Sequence, residues 1–363
     1  MASPPASRIA IVLGTRPEII KLSPVMRVLD RERVPYFVVH SNQHYSEEMD
    51  RVFFEELALP PAAYHLGIGS AEHGNQTGRM LVAIERILLD ERPRAVIAQG
   101  DTNTVLAAIL AASKQGIRCG HLEAGLRSYD RGMPEEKNRV ICDAIADELY
   151  CPTEVQRGIL LGEGVDSSRI HVTGNTIVDA VHANRELAMR SDVLDRLGLR
   201  AGRFVLVTAH RASNADTEAS LRRLCALLGR IEGLCDCPVV YPVHPRTRAR
   251  LEQFGLAVDH VRMTRPLGYR DFLRLEADAK LIVTDSGGVQ EEACILGVPC
   301  VTLRENTERP ETVTVGANRL VGLDPTRFDD ALAHFFAGPA RSWQNPLGDG
   351  RAAERVCEIL CAK

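Results

Sequence analysis

The chain carries no surplus of positive charge. Its formal net charge is -4, which excludes the basic footprint that an electrostatic grip on nucleic acid requires. A small polyanion is not excluded, because a few local arginines and a helix N-terminus suffice to hold one. Paired cysteines are lacking as well. The ten cysteines form no Cys-x-x-Cys, and the closest spacings, Cys235-Asp236-Cys237 and Cys357 to Cys361, match no zinc pattern. They read as small buried hydrophobes in a reducing compartment, so no metal site is expected. Apolar runs such as Val105 to Ala112 are far too short to span a bilayer, and Met1 to Ser7 is a polar leader without an apolar signal core. A cytoplasmic protein without membrane contact is the expectation. Neither a Gly-x-Gly-x-x-G fingerprint nor a P-loop Gly-Lys-Ser is present, which argues against nicotinamide redox chemistry and NTP hydrolysis. Solenoid repeats and low-complexity tracts are absent too.

What is there is an ordinary globular composition, 45% hydrophobic and 25% charged over 363 residues, a length that favours two domains. Arg8 to Leu13 reads as a buried parallel strand ended by Gly14. Thr15 to Glu18 then reads as a capping box opening a helix, which Pro24 is expected to kink or to shift at its boundary. Tyr36 to His40, Ala95 to Ala98, Cys119 to Leu122 and Glu148 to Cys151 continue the strands, with an Ala-rich helix over Thr104 to Lys114. Ile170 to Val172 leads through Gly174-Asn175-Thr176 into a helix reaching about Arg190, and a hinge is placed there. A second series follows at Phe204 to Thr208, Val239 to Val243, Val261 to Met263, Leu281 to Thr284 and Cys300 to Thr302, with no further strand read after the last of these. The reading is an α/β protein of two doubly wound Rossmann-like domains facing a central cleft, with ligands at the carboxyl ends of the strands. The expected boundaries are 1–175, 176–345 and 346–363, the last piece holding the apolar helix Ala352 to Leu360 that packs back on the first domain.

The polar groups at the strand ends carry the chemistry. Gln99 to Thr104 contains Asp101, which reads equally as the cap of the following helix. His121 to Arg139 packs three glutamates, three arginines, a histidine and two glycines, poor material for a core because each polar group must be paired or hydrated. His210 ends one strand beside Arg211, and His244 ends another. Asp285-Ser286-Gly287-Gly288 opens a helix with unobstructed N–H donors suited to a diphosphate. Glu291 and Glu292, a turn further in, suit the cis-hydroxyls of a ribose. Arg304 and Arg309 are in reach of phosphates. Together these point to an enzyme that holds a nucleoside diphosphate derivative mainly on its C-terminal half, with clustered carboxylates and a histidine for proton transfer on a sugar.

The stretches at 14–21 (GTRPEIIK), 99–104 (QGDTNT), 121–128 (HLEAGLRS), 133–139 (MPEEKNR), 174–179 (GNTIVD), 208–211 (TAHR), 243–245 (VHP), 284–292 (TDSGGVQEE) and 305–311 (ENTERPE) closely resemble the non-hydrolysing UDP-N-acetylglucosamine 2-epimerases, in order and spacing. The resemblance implies a fold of the glycosyltransferase B type. It also implies interconversion of UDP-GlcNAc and UDP-ManNAc, an isomerase serving polysaccharide precursor synthesis. By the same resemblance, catalysis falls on Asp101, Glu123, Glu135 and His210. UDP-sugar binding falls on Arg16 and Lys21, on Leu267 and Phe272 for uracil, on Ser286, Gly287, Gly288 and Arg309 for phosphate, and on Glu292 for ribose. It implies a homodimer and no cofactor. Many bacterial members carry Arg-Gln-Thr and Gln-His-Arg segments that bind a second UDP-GlcNAc as activator. Here those places read Gly74-Asn75-Gln76-Thr77 and Asn42-Gln43-His44-Tyr45, so weak or absent activation is expected. A hydrolysing epimerase, a glycosyltransferase on the same fold and a UDP-sugar sensor are the alternatives. An uronic acid or 3-acetamido sugar would use the same core motifs.

Overall fold

The computed structural model describes residues 8–43, 47–235, 237–258, 260–336 and 342–362; the leader Met1 to Ser7 lies outside them. The chain forms two compact units, 1–183 with 347–363, and 184–346. The first break falls within a helix, past the expected boundary at 175.

The first unit begins with β1 (Ile9–Leu13), α1 (Arg16–Arg31), β2 (Tyr36–His40), α2 (Glu47–Glu56), β3 (Tyr64–His65), α3 (His73–Glu91) and β4 (Ala95–Gln99). It continues with α4 (Asn103–Lys114), β5 (Arg118–Leu122), α5 (Pro134–Ile145), β6 (Glu148–Cys151), α6 (Glu154–Gly162), β7 (Ile170–Val172) and α7 (Thr176–Ala188). Its sheet is parallel throughout, in the order β3-β2-β1-β4-β5-β6-β7. All five β1 residues are fully buried, as expected for a strand with helices on both faces. The sequence reading named neither β3, only two residues long, nor the helices α2, α3, α5 and α6.

In α1 the capping box forms between Thr15 and Glu18. Of the two expected outcomes, a shifted boundary does not occur: Pro24 lies inside α1, which runs on to Arg31. Proline removes the N–H that would bond the carbonyl four residues back. That carbonyl, on Ile20, instead accepts the Ser23 hydroxyl at 2.8 Å, so the loss is made good within the same turn. Gly14 is obligatory for a different reason. A β-carbon there would lie 2.0 Å from Ser41 Oγ and 2.5 Å from Thr104 Oγ1, so only glycine lets the end of β1 approach the start of α4.

The second unit holds α8 (Val193–Arg196), β8 (Val205–Thr208), α9 (Ala212–Ala215), α10 (Glu218–Leu234), β9 (Val239–Pro242), α11 (Pro245–Gln253) and β10 (Val261–Thr264). It goes on through α12 (Tyr269–Asp278), β11 (Leu281–Thr284), α13 (Gly287–Leu296), β12 (Cys300–Thr302), α14 (Pro310–Thr314), β13 (Asn318–Leu320) and α15 (Pro325–Phe336). This sheet is also all parallel, in the order β10-β9-β8-β11-β12-β13. The strand series therefore does not end at Cys300–Thr302: β13 pairs with β12, a three-residue strand with too little apolar content to be seen in the sequence. One core face gathers Val205, Val207, Tyr241 and Phe328, the other Phe204, Leu206, Leu275 and Val289.

The chain then returns to the first unit as α16 (Ala352–Cys361), which packs on α1. Asp179 on α7 accepts from the N–H groups of Ala352 at 3.2 Å and Ala353 at 2.9 Å, and Asn175 N donates to Leu347 O at 2.9 Å. Seven of the ten cysteines are buried and all ten are unbridged. Among the described residues no helix is long and apolar enough to cross a membrane.

Candidate functional site

In each sheet the strand order reverses direction beside the first strand, between β1 and β4 in one and between β8 and β11 in the other. Crevices at such points, beyond the carboxyl ends of the strands, are where ligands of doubly wound folds sit. Several of the residues singled out by sequence, Arg16, Asp101, His210 and Asp285 among them, follow the strands that flank these points.

In the first unit Glu123 follows β5 with a left-handed backbone, φ 65°, a conformation that costs a non-glycine residue about 1–2 kcal/mol and is typical of strained functional positions. Its side chain is 7% exposed and is held by three donors. Lys21 on α1 forms an ion pair with Oε1, Gln99 Nε2 donates to Oε2 at 2.6 Å and Asn175 Nδ2 to Oε1 at 3.2 Å. Gln99 and Asn175 stand in motifs visible in the sequence, QGDTNT and GNTIVD, but their common target was not legible.

Asp101 follows β4. The expectation that it caps α4 fails: the cap is Thr102, whose hydroxyl accepts from Val105 N at 3.4 Å. Asp101 instead forms an ion pair with Arg139, Nε to Oδ2 3.0 Å, and its carbonyl accepts from Asn138 Nδ2 at 2.9 Å. Both partners lie on α5, three and four residues beyond Glu135, and so share a helix face with it. The contacts that fix Asp101 thus bring Glu135 to the same edge. Glu135, in the first turn of α5 and partly exposed, makes no hydrogen bond within the described residues.

The rest of the charged loop is scaffolding. Glu136 accepts from Ser128 N, Ser128 Oγ and Tyr129 N, each at 2.9 Å, and pairs with Arg139. Burial opposes its charge, yet these donors hold its pKa below the ordinary value. His121 is buried between Asp143 Oδ1 and Gly100 O, each at 2.7 Å. Burial disfavours the imidazolium, but Asp143 overrides it and raises the His121 pKa. Arg127 closes the set on Asp143 and Glu163. Glu18, fully buried, accepts from Thr15 N at 3.1 Å and from Thr102 Oγ1 at 2.6 Å, and burial lifts it to about 7. Arg16 lies over the Phe53 ring at 5.2 Å.

In the second unit His210 follows β8 and Asp285 follows the adjacent β11. Asp285, fully buried, accepts from His210 N at 3.0 Å, Arg211 N at 2.9 Å and Asn214 Nδ2 at 3.0 Å. Its Oδ1 lies 3.5 Å from Nδ1 of His210, whose ring is half exposed and tilted against His244. Ser286 is the N-cap of α13, and the N–H groups of Gly287 and Gly288 have no acceptor among the described residues. This is an open anion-binding helix start. A β-carbon on Gly287 would stand 2.6 Å from Arg309 Nη1, so glycine lets that guanidinium lie against the helix start. Arg309 and Arg304 are not loose. Arg309 pairs with Glu291 and Glu308, both at 2.9 Å, and Arg304 holds Glu308 through two nitrogens at 2.9 and 2.6 Å. Arg211 is partly buried, and burial, with Arg304 next, lowers its pKa. Leu267 and Phe272 are partly buried against the core around Leu275 and Val289. Glu292 is 7% exposed on α13 and meets Glu276 of α12. Of the two adjacent glutamates read together as ribose ligands, Glu291 is ion-paired with Arg309.

A family model described as UDP-N-acetylglucosamine 2-epimerase matches residues 27–361. The UDP-N-acetylglucosamine 2-epimerase of Methanocaldococcus jannaschii is 48% identical to this chain, over 97% of it and 98% of the relative. A crystal structure of Methanocaldococcus jannaschii UDP-GlcNAc 2-epimerase in complex with UDP-GlcNAc and UDP superposes with a TM-score of 0.93 at 48% identity, covering 98% of this chain and 100% of that one. The lipopolysaccharide outer core galactosyltransferase WaaB, at 12% identity and a TM-score of 0.52 over 98% of this chain and 99% of its own, shares the fold alone.

Proposed function

For a chain that belongs to the UDP-N-acetylglucosamine 2-epimerase family, we propose reversible C2 epimerisation of UDP-GlcNAc to UDP-ManNAc, without net hydrolysis. The observation that carries this reading is the contrast between two glutamates at one sheet edge. Glu123 is strained, buried and clamped by Lys21, Gln99 and Asn175, while the Glu135 carboxylate makes no hydrogen bond among the described residues.

The proton on C2 is adjacent to no carbonyl, so its removal to a free carbanion is costly. Loss of that proton together with cleavage of the C1–O bond avoids the carbanion: UDP leaves and a 2-acetamidoglucal remains. Return of a proton to the opposite face of C2 as UDP re-adds at C1 completes the inversion. An acid/base group is needed on each face, and carboxyl groups in unlike surroundings supply them. Asp101, Glu123 and Glu135 are the candidates. His210, oriented by buried Asp285, is suited to stabilise or protonate the departing diphosphate. Ser286, Gly287, Gly288 and Arg309 hold the phosphates, Phe272 and Leu267 the uracil, and Glu292 the ribose, with Arg16 and Lys21 on the sugar-phosphate side. No cofactor enters, and the family resemblance gives a cytoplasmic homodimer, which light scattering tests.

One experiment separates this reading from its rivals: UDP-GlcNAc incubated with the protein in D2O and followed by NMR. UDP-ManNAc carrying deuterium at C2 is the expected product. Free ManNAc with UDP would make the protein a hydrolysing epimerase, and the absence of exchange at C2 would reject both. Parallel incubation with UDP-sugars bearing an uronic acid or a 3-acetamido group identifies the sugar.

A further inference from the structure

Glu276 is anomalous. It lies on the apolar stripe of α12 with Tyr269 and Leu273, is 0% exposed, and has no donor to either carboxyl oxygen among the described residues. An ionised carboxylate so placed would carry a desolvation cost of several kcal/mol. What it touches is another carboxyl, that of Glu292 on α13. Among the described residues the other titratable group acting with it is Cys300 on β12, a buried thiol. Two carboxyl groups in contact cannot both be ionised in such surroundings, so the pair keeps a proton, as paired acids do. The deeper member keeps it: Glu276 is fully buried, whereas Glu292 reaches the surface.

We propose that Glu276 is a positioning residue: a neutral carboxylic acid whose one hydrogen is donated to the carboxylate of Glu292, aiming that carboxylate at the two cis-hydroxyls of a ribose. The inference rests on the reading of Glu292 as the ribose ligand. A neutral acid suits the task better than a cation. Arg304 consumes both oxygens of Glu308, and Arg309 binds Glu291 one residue before Glu292. A carboxylic acid has a single hydrogen to give, so it fixes the orientation of its neighbour and leaves most of its lone pairs for the diol.

The test is the affinity for UDP against 2′,3′-dideoxy-UDP, by calorimetry, in the wild type, Glu276→Gln and Glu276→Met. The wild type is expected to prefer UDP by roughly tenfold or more, the size of a hydrogen-bond contribution from a charged group. In Glu276→Met the preference falls toward one through weaker UDP binding, while dideoxy-UDP binds as in the wild type. In Glu276→Gln, whose amide still donates, the preference survives. A full preference in Glu276→Met would overturn the proposal while leaving the ribose reading intact. No preference in the wild type would overturn the ribose reading and this inference together. Should Glu276→Met fail to fold, infrared difference spectra of the wild type decide. A carboxylic-acid C=O band at neutral pH, absent in Glu276→Gln and shifted by UDP but not by dideoxy-UDP, is the expected result, and its absence overturns the proposal.

Discussion

Neighbouring carboxyl groups in this molecule are driven to opposite fates by what surrounds them. Glu136 is fixed by backbone N–H groups and an arginine, and Glu135, one residue earlier, is left open. Removal of the Glu135 acid by Glu135→Gln is expected to lower C2 deuterium exchange by about a hundredfold or more, the usual worth of a positioned acid or base. UDP affinity measured by calorimetry should hardly change. Glu18 supplies a pH effect of definite sign. Burial raises it from 4.5 to about 7, so the folded chain binds a proton that the unfolded chain releases. Its contribution is fully present below pH 4.5 and is lost as pH rises through about 7. The stability of the wild type relative to Glu18→Gln should therefore fall across that window by an amount on the order of 3 kcal/mol. Denaturant titrations at several pH values read this directly, and a flat difference would refute it.

At the scale of elements, the strands and their ends were legible because parallel strands covered on both faces are continuous apolar runs, and IAIVL, YFVVH and LIVT can be little else. The capping box of α1 was legible for a local reason, its pattern being complete within four residues. What failed has two kinds of cause: Pro24 is tolerated locally, because the hydroxyl of the adjacent Ser23 takes over the stranded carbonyl, whereas Asp101 is drawn off its cap by an arginine 38 residues away. Glu276 had a signal that went unread, since its helical phase puts an acid on the buried stripe with Tyr269 and Leu273. The motif ending in Asp179 acquires its meaning only from α16, whose first N–H groups it accepts. Asp179→Ala should lower stability by roughly 1–2 kcal/mol, as loss of a helix cap does, seen as a drop of a few degrees in thermal melting. Unchanged melting would mean that α16 docks by its apolar face alone.

For the molecule as a whole, the expected outcome is a hyperbolic dependence of rate on UDP-GlcNAc, and turnover of UDP-ManNAc without added UDP-GlcNAc. Gln76 is buried and spends its amide on Gly69 O at 2.8 Å and Asn103 Nδ2 at 2.8 Å, and Gln43 accepts from the Thr104 hydroxyl at 2.8 Å. His44 and Tyr45 of the same segment lie outside the described residues. A sigmoidal curve would show that an activator is bound without the two missing arginines. The division into two units was readable from length and from the doubled strand series, but the return of 347–363 to the first unit was fixed by contacts that no local pattern announces. That return orders events at the ribosome. The first unit, whose sheet is complete by Val172, must wait for the intervening 184–346 to be made, roughly ten to thirty seconds at ordinary elongation rates. Until then the surface of α1 that receives α16 is open to chaperones, and the synthesis of α16 itself sets the earliest moment at which Asp179 acquires its partner.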